Sequence, residues 1–258
     1  MITSTKNEKI KFALSLKTDV KTRVQNGLCF AEGLRLCGEA VASGRAETLF
    51  FTREFIEKHP DFTATGERTV CERIEIGENV AKTLSDVRNP QGIFCLCGTG
   101  GLNHPVSQLK SGKILALERL ADPGNLGTIL RTAEAFGADG VLLSDGCADV
   151  FSPKVLRAGM GCSFRLPIYE SAGFPSDLKA LSERGFAVYG AMLSDAALPI
   201  TGLSVPENFI LVVGNEANGI TPETAEAVTP VVIPMKGRAE SLNAASAAAI
   251  LLWELFGK

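Results

Sequence analysis

The sequence predicts an α/β protein: a C-terminal parallel sheet with helices on both faces, preceded by a small N-terminal α/β unit. Two observations carry this. From residue 113 onward short apolar runs alternate with segments of helical spacing, the pattern of a parallel sheet covered on both sides. Before that, strand-like and helix-like segments end at the densest cluster of chain breakers, Gly98 to Gly101 followed by Asn103, His104, Pro105, Ser107, Ser111 and Gly112.

At 258 residues and 45% apolar content, the chain is long enough for one large or two ordinary domains with a sizeable core. In the N-terminal part, Ile10, Leu14 and Leu16, then Phe30, Leu34 and Leu36 through Val41, predict two helices over residues 6–43. Thr48–Phe51 and Arg73–Ile76 read as short strands, Glu78–Leu84 as a helix and Ile93–Cys97 as a closing strand. The breaker cluster sets a linker at 99–112, giving a first domain at 1–98 and a second at 113–258. In the second, the expected strands are Ile114–Leu117, Val141–Leu143, Ala187–Ala191, Ile210–Val213 and Val231–Met235. From Ala244 to Phe256 only Ser246 and Glu254 are strongly polar, so the last helix is expected to be buried on most of its circumference.

The longest apolar run is shorter than the ~20 residues a membrane span needs, and the first residues lack a signal-peptide core, so a cytoplasmic location is expected. Seven cysteines, an odd number without paired CxxC spacing, exclude a disulfide framework and a zinc ribbon. Most are expected to be small buried hydrophobes, and no metal site is expected. Net charge is −3, yet residues 1–30 carry Lys6, Lys9, Lys11, Lys17, Lys21 and Arg23 against Glu8 and Asp19. That basic cluster fits a solvated helix face and a phosphate-binding surface equally well.

Ligands of parallel sheets bind at the carboxyl ends of the strands, and three loops with chemistry fall there. The first, Glu118 to Gly127, leads into a helix carrying Arg131; Asn125 and Arg131 do not share a face of that helix. A bland reading exists for each, Asn125 as a helix N-cap and Arg131 as an ion-pair partner. The second is Gly214-Asn215-Glu216-Ala217-Asn218-Gly219, directly after a strand. The third runs from Pro234 to Asn243, with Glu240, Ser241 and Asn243 at the mouth of the apolar helix, where Ser241 stands as a candidate cap. No GxGxxG follows a strand and no GxxxxGK[ST] is present, which speaks against a dinucleotide-dependent oxidoreductase or a P-loop enzyme. The only histidines, His59 and His104, lie outside the second domain and leave no Ser-His-Asp triad there.

Asn125-x-Gly127-x-x-x-Arg131, then Gly214-Asn215-Glu216-x-x-Gly219, then Ile233-Pro234-Met235-x-Gly237-x-x-Glu240-Ser241-Leu242-Asn243 resembles the three motifs of the SpoU (TrmH-type) RNA 2′-O-ribose methyltransferase family of the SPOUT superfamily. Ser152 to Gly161 resembles the segment this family carries between its first two motifs. Phe30-Ala31-Glu32-Gly33 and Asn89-Pro90-Gln91-Gly92-Ile93 are similar to marks of its RNA substrate-binding domain. Ala217 departs from the pattern at a position where many members have glycine.

The resemblance implies a deep trefoil knot in the C-terminal sheet and S-adenosyl-L-methionine as cofactor, held by Gly214, Asn215, Ile233, Met235 and Leu242. It implies methyl transfer to a ribose 2′-hydroxyl, with ribosomal RNA as the expected substrate. Transfer RNA and a non-catalytic RNA-binding relative are the alternatives; no DNA or membrane partner is implied. Arg131, Asn125, Glu216, Ser241 and Asn243 are the implied catalytic set. Deprotonating a guanidinium at neutral pH costs about 8 kcal/mol, so orientation and phosphate contact are expected of Arg131 rather than base catalysis. The family also implies a homodimer formed through the C-terminal helix.

Overall fold

Five consecutive apolar residues, Phe209–Val213, are all buried, as only a strand covered on both faces permits. The computed structural model in which they lie describes residues 1–62, 71–238 and 241–257. The chain divides into two compact units, Met1–Gly101 with Phe151–Phe164, and Leu102–Val150 with Arg165–Lys258.

The first unit holds four strands, β1 (Leu28–Glu32), β2 (Ala46–Phe51), β3 (Glu72–Glu75) and β4 (Ile93–Gly98), in the order β1-β4-β2-β3. β4 is antiparallel to both neighbours, and β2 and β3 are parallel. Helices Glu8–Thr18 and Glu78–Leu84 close a core of Ile10, Leu16, Phe30, Phe50, Val80 and Phe94. The expectation of two helices over 6–43 is corrected here. Three helices, Glu8–Thr18, Val20–Asn26 and Leu34–Ala42, flank β1, and Phe30 belongs to that strand. Gly27, at φ 62°, ends the second helix, and Gly33, at φ 94°, ends β1. Between these glycines the apolar run is too short for a helix and pairs with β4 instead.

The features that resemble a substrate-binding domain have local reasons to be there. The nearly buried Glu32 carboxylate accepts from Asp86 N at 3.1 Å and from Ser85 Oγ. Gln91 Oε1 accepts from Leu34 N at 2.7 Å, capping a helix that has no side-chain cap of its own. The segment Phe151–Phe164 packs in this unit, and Arg157 Nη1 reaches Asp86 at 3.0 Å and Glu32 at 3.7 Å. The basic cluster is largely consumed internally. Lys9 pairs with Glu72, Lys11 with Glu8 and Lys17 with Asp86, and the buried Arg23 donates to Leu16 O at 2.6 Å.

The second unit is an eight-stranded sheet: β5 (Asn103–Pro105), β6 (Lys113–Leu117), β7 (Gly140–Ser144), β8 (Ile168–Ser171), β9 (Ala187–Ala191), β10 (Leu198–Pro199), β11 (Phe209–Val213) and β12 (Thr229–Val232). Their order is β10-β12-β9-β11-β6-β7-β8-β5, and every pairing is parallel. β5, β8 and β10 were not expected. β8 sets less buried Tyr169 and Glu170 between buried Ile168 and Ser171 and shows no apolar run, while β5 and β10 span three and two residues. The last full strand stops at Val232 rather than Met235, where Pro234 interrupts the ladder.

Strand order reverses between β6 and β11. From β6 the chain builds outward through β7 and β8 on one side, while β11 leads to β9 and β12 on the other. Such a switch point opens a crevice at the carboxyl ends of the two central strands. Helix Phe174–Glu183 covers one face through Phe174, Leu178 and Leu181 against Ile114, Leu142 and Ile210. Helices Pro123–Ala135 and Ala244–Leu255 pack on each other. The C-terminal helix buries Ala244, Ala248, Leu251, Leu252 and Leu255, but Ile250 is 41% exposed and Trp253 53% exposed. Its expected burial on most of its circumference is therefore corrected to burial of one face.

Candidate functional site

The loops after β6 and β11 meet because both strands end at the switch point. After β6, Asp122-Pro123 starts the helix Pro123–Ala135: Asp122 Oδ1 accepts from Asn125 N at 2.8 Å, and proline occupies the first turn. Asp122, not Asn125, is the cap, and both Asn125 and Arg131 lie on the helix, about 120° apart around its axis. Freed from capping, Asn125 turns its amide to the neighbouring loops. Its Nδ2 donates to Glu216 Oε1 at 3.1 Å, and its Oδ1 accepts from Asn243 Nδ2 at 3.2 Å.

One candidate from each of the three motifs thus joins a single hydrogen-bonded set. Glu216 Oε1 also accepts from Asp122 N at 3.3 Å. Asn243 caps the C-terminal helix as well, its Oδ1 accepting from Ala245 N at 2.9 Å and Ser246 N at 3.3 Å. Ser241 is not the cap, and Glu240 lies outside the described residues.

The turn after β11 is shaped from within. Asn215 Oδ1 accepts from Ala217 N and Asn218 N, and Asn215 Nδ2 donates to Arg119 O at 2.7 Å. A Cβ at Gly214 would lie 2.1 Å from the carbonyl carbon of Gly219, so only glycine lets the two limbs of the turn touch. Ala217 is not among the residues of positive φ, so the alanine sits there without backbone strain.

Beneath the turn, Glu118 is 3% exposed. Its carboxylate accepts from Thr221 N at 2.9 Å and from the hydroxyls of Thr221 and Thr224, each at 2.7 Å. Sequence reasoning passed over both Glu118 and Asp122. The Asp-Pro pair at a helix start could have identified the second; nothing local marks the first, whose partners are 103 and 106 residues away.

Beside this set lies a cavity of about 430 Å³, within the range of small-molecule sites. Gly214, Asn215, Glu216, Ile233, Met235, Ser241 and Leu242 all line it. Its remaining wall includes Met192, Leu193, Ile220, Ala247 and Leu251. Asn125, Asn243 and Arg131 are not lining residues. Arg131 is exposed, and among the described residues no acceptor pairs with it. Near the same strand ends, burial raises the Cys147 thiol above its ordinary value, which disfavours the thiolate a nucleophile would need. Among the described residues no group of three or more His, Cys, Asp or Glu side chains could hold a metal ion.

The wall suits an adenosyl group with an amino-acid tail. Apolar side chains can flank a ring, the glycine-framed turn offers main-chain groups, and among the described residues no positive side chain lines the cavity to oppose a sulfonium.

Comparison with known proteins identifies the family. The SpoU rRNA Methylase family matches residues 112–253, and the MRM3-like substrate binding domain matches residues 7–95. The 23S rRNA (guanosine(2553)-2′-O)-methyltransferase RlmP of Bacillus subtilis is 34% identical over 258 residues, covering 99% of each chain. A TrmH-family protein from Porphyromonas gingivalis superposes with a TM-score of 0.80 at 33% identity, covering 95% of both chains. An AdoMet-bound rRNA methyltransferase from Sinorhizobium meliloti gives 0.84 at 30% identity, over 98% of this chain and 95% of that one. With the family matched over more than half its length and a relative aligned almost end to end, the chain belongs to the SpoU rRNA methylase family.

Proposed function

We propose that this chain is an S-adenosylmethionine-dependent RNA methyltransferase that methylates a ribose 2′-hydroxyl in ribosomal RNA. The observation that carries the reading is the Asn125–Glu216–Asn243 hydrogen-bonded set at the edge of the apolar cavity. Gly214, Asn215, Ile233, Met235 and Leu242 hold the cofactor, which supplies the methyl group. The first unit is the RNA substrate-binding domain, and the work is done in the cytoplasm.

The protein's part is positioning. In-line attack needs the hydroxyl oxygen aligned with the methyl–sulfur bond; as the O–CH3 bond forms and the S–CH3 bond breaks, the hydroxyl proton passes to solvent water. Arg131, unpaired among the described residues, grips the phosphate beside the target ribose in a bidentate fork. Ser241 Oγ, on the cavity wall, orients the hydroxyl. Glu216 already accepts from Asn125 and Asp122, which suits a brace between loops rather than a base. Asn243 ties the C-terminal helix to that brace.

The C-terminal segment is threaded as a trefoil knot. Support comes from Ile233, Met235, Ser241 and Leu242 lining the same cavity as the Gly214–Gly219 loop. The working form is a homodimer built on the C-terminal helix, where Ile250 and Trp253 leave an apolar face open.

The test is transfer of labelled methyl from S-adenosylmethionine to ribosomal RNA from a strain lacking the gene. The wild type should label it, and Arg131→Ala should cut transfer by about a hundredfold or more with the fold and cofactor binding retained. Unchanged activity in that variant overturns the site assignment. Label in transfer RNA alone reassigns the substrate, and no transfer to either RNA leaves a binding protein.

A further inference from the structure

Arg119 has the backbone of a residue held in place against its own preference. Its φ is 51°, and it shares positive φ with only one other non-glycine among the described residues, Met160. A side chain in this left-handed region costs about 1 kcal/mol or more and persists only where the surroundings impose it. Here they do. Ser144 Oγ, at the end of β7, accepts from Arg119 N at 2.8 Å, and Asn215 Nδ2, just past β11, donates to Arg119 O at 2.7 Å. The preceding Glu118 N donates to Val213 O at 3.0 Å. Side chains from two neighbouring strand ends therefore fix both peptide groups of this residue.

The side chain so presented is free. It is exposed, and its guanidinium has no partner among the described residues. Its stem runs beside Gly146, where a Cβ would lie 3.4 Å from Arg119 Cγ. Asn215, which holds the Arg119 carbonyl, also donates to Glu216 Oε2 at 3.4 Å, so this peptide is one hydrogen bond from the motif set. An exposed cation held beside the site, with its charge left open, is complementary to a polyanionic substrate.

We propose that Arg119 is a second phosphate-binding residue, gripping the RNA backbone on the other side of the target nucleotide from Arg131. A nucleotide within a chain is flanked by two phosphates, and a cation on each adds a contact that holds the strand equally before and during methyl transfer. This rests on the RNA methyl-transfer reading above.

Arg119→Gly is the decisive variant, because glycine adopts the left-handed backbone freely and the fold should be kept. With ribosomal RNA from a strain lacking the gene, the KM for RNA should rise about tenfold. The kcat at saturating RNA and the affinity for S-adenosylmethionine should stay near wild type. The salt dependence of RNA binding, measured by filter retention, should lose about 0.7 in log–log slope, one phosphate contact. Arg119→Lys should keep the slope and recover part of the affinity. Unchanged KM and slope in Arg119→Gly would overturn the proposal, as would a fall in kcat with KM unchanged, which marks a loop-shaping role. A wild type that binds this RNA but transfers no methyl would fail the enzymatic reading instead, while the slope comparison still decides on Arg119.

Discussion

Asn243 faces two ways: its Oδ1 caps the C-terminal helix at Ala245 and Ser246, while its Nδ2 donates to Asn125 Oδ1 at 3.2 Å. One amide thus serves both stability and the site, and the two roles can be separated by choice of substitution. Asn243→Asp keeps the cap, since a carboxylate suits a helix N-terminus, but loses the donor to Asn125. Its melting temperature should stay close to wild type while methyl transfer falls about tenfold or more. Asn243→Ala should lose about 1 kcal/mol as well as activity. Full activity in Asn243→Asp would remove the Asn125 contact from the mechanism.

Gly214→Ala tests the turn that frames the cavity. The new Cβ has no room 2.1 Å from Gly219 C and 2.4 Å from Ile220 N, all backbone neighbours that cannot swing aside. The turn must open, so S-adenosylmethionine affinity should drop about tenfold or more in calorimetry, roughly 1.4 kcal/mol or above. Wild-type affinity would mean that the cofactor does not rest on this turn.

Glu118 is a structural carboxylate directly under the site. Glu118→Ala strips three donors on Thr221 and Thr224 of their acceptor in a buried place and should cost about 3 kcal/mol. Glu118→Gln retains one oxygen and should cost less. Urea unfolding midpoints of the two variants check the order; equal midpoints would show that the hydroxyls find other partners.

The motif residues could be read from the chain because each cluster is local: Asn125 with Arg131, Gly214 with Gly219, Ser241 with Asn243. What could not be read is how they join. The Asn125–Glu216 bond spans 91 residues and the Asn243–Asn125 bond 118, and no periodicity encodes such pairs. The strand at Phe30 was misread because three buried residues at its centre carry no alternation, and β8 because Tyr169 and Glu170 dilute its apolar signal. The basic N-terminal cluster fits a solvated helix face and a phosphate-binding surface equally well in sequence, because its ion-pair partners do not show there. Lys9 and Lys17 find Glu72 and Asp86 far along the chain, while Lys11 and Arg23 find Glu8 and the Leu16 carbonyl nearby.

The apolar face of the C-terminal helix should be where a second copy docks. Ile250 and Trp253 are exposed on it, and Trp253 leans edge-on against Phe136 with ring centroids 5.6 Å apart. Trp253→Glu places a charge on that face without touching the buried Leu251, Leu252 or Leu255. Light scattering should show a dimer for the wild type and a monomer for the variant, with near-native circular dichroism. A wild type that is monomeric and fully active would overturn the dimer.

Asp86 links charge to stability in the first unit. Burial pushes its carboxyl up, but hydrogen bonds and charge from Lys17 and Arg157 outweigh burial and hold it below the ordinary value. A depressed folded-state pKa contributes stability above the unfolded value near 3.9, which is lost as pH falls through the lower folded value. Because Asp86 is about a third exposed, solvent screening limits the contribution to about 1 kcal/mol. Asp86→Asn should therefore lower the unfolding free energy from urea titration at pH 7 by that amount, and the gap should narrow as the pH falls below the unfolded value near 3.9. A gap that does not narrow as the pH falls would mean that side-chain shape, not ionisation, makes the contribution.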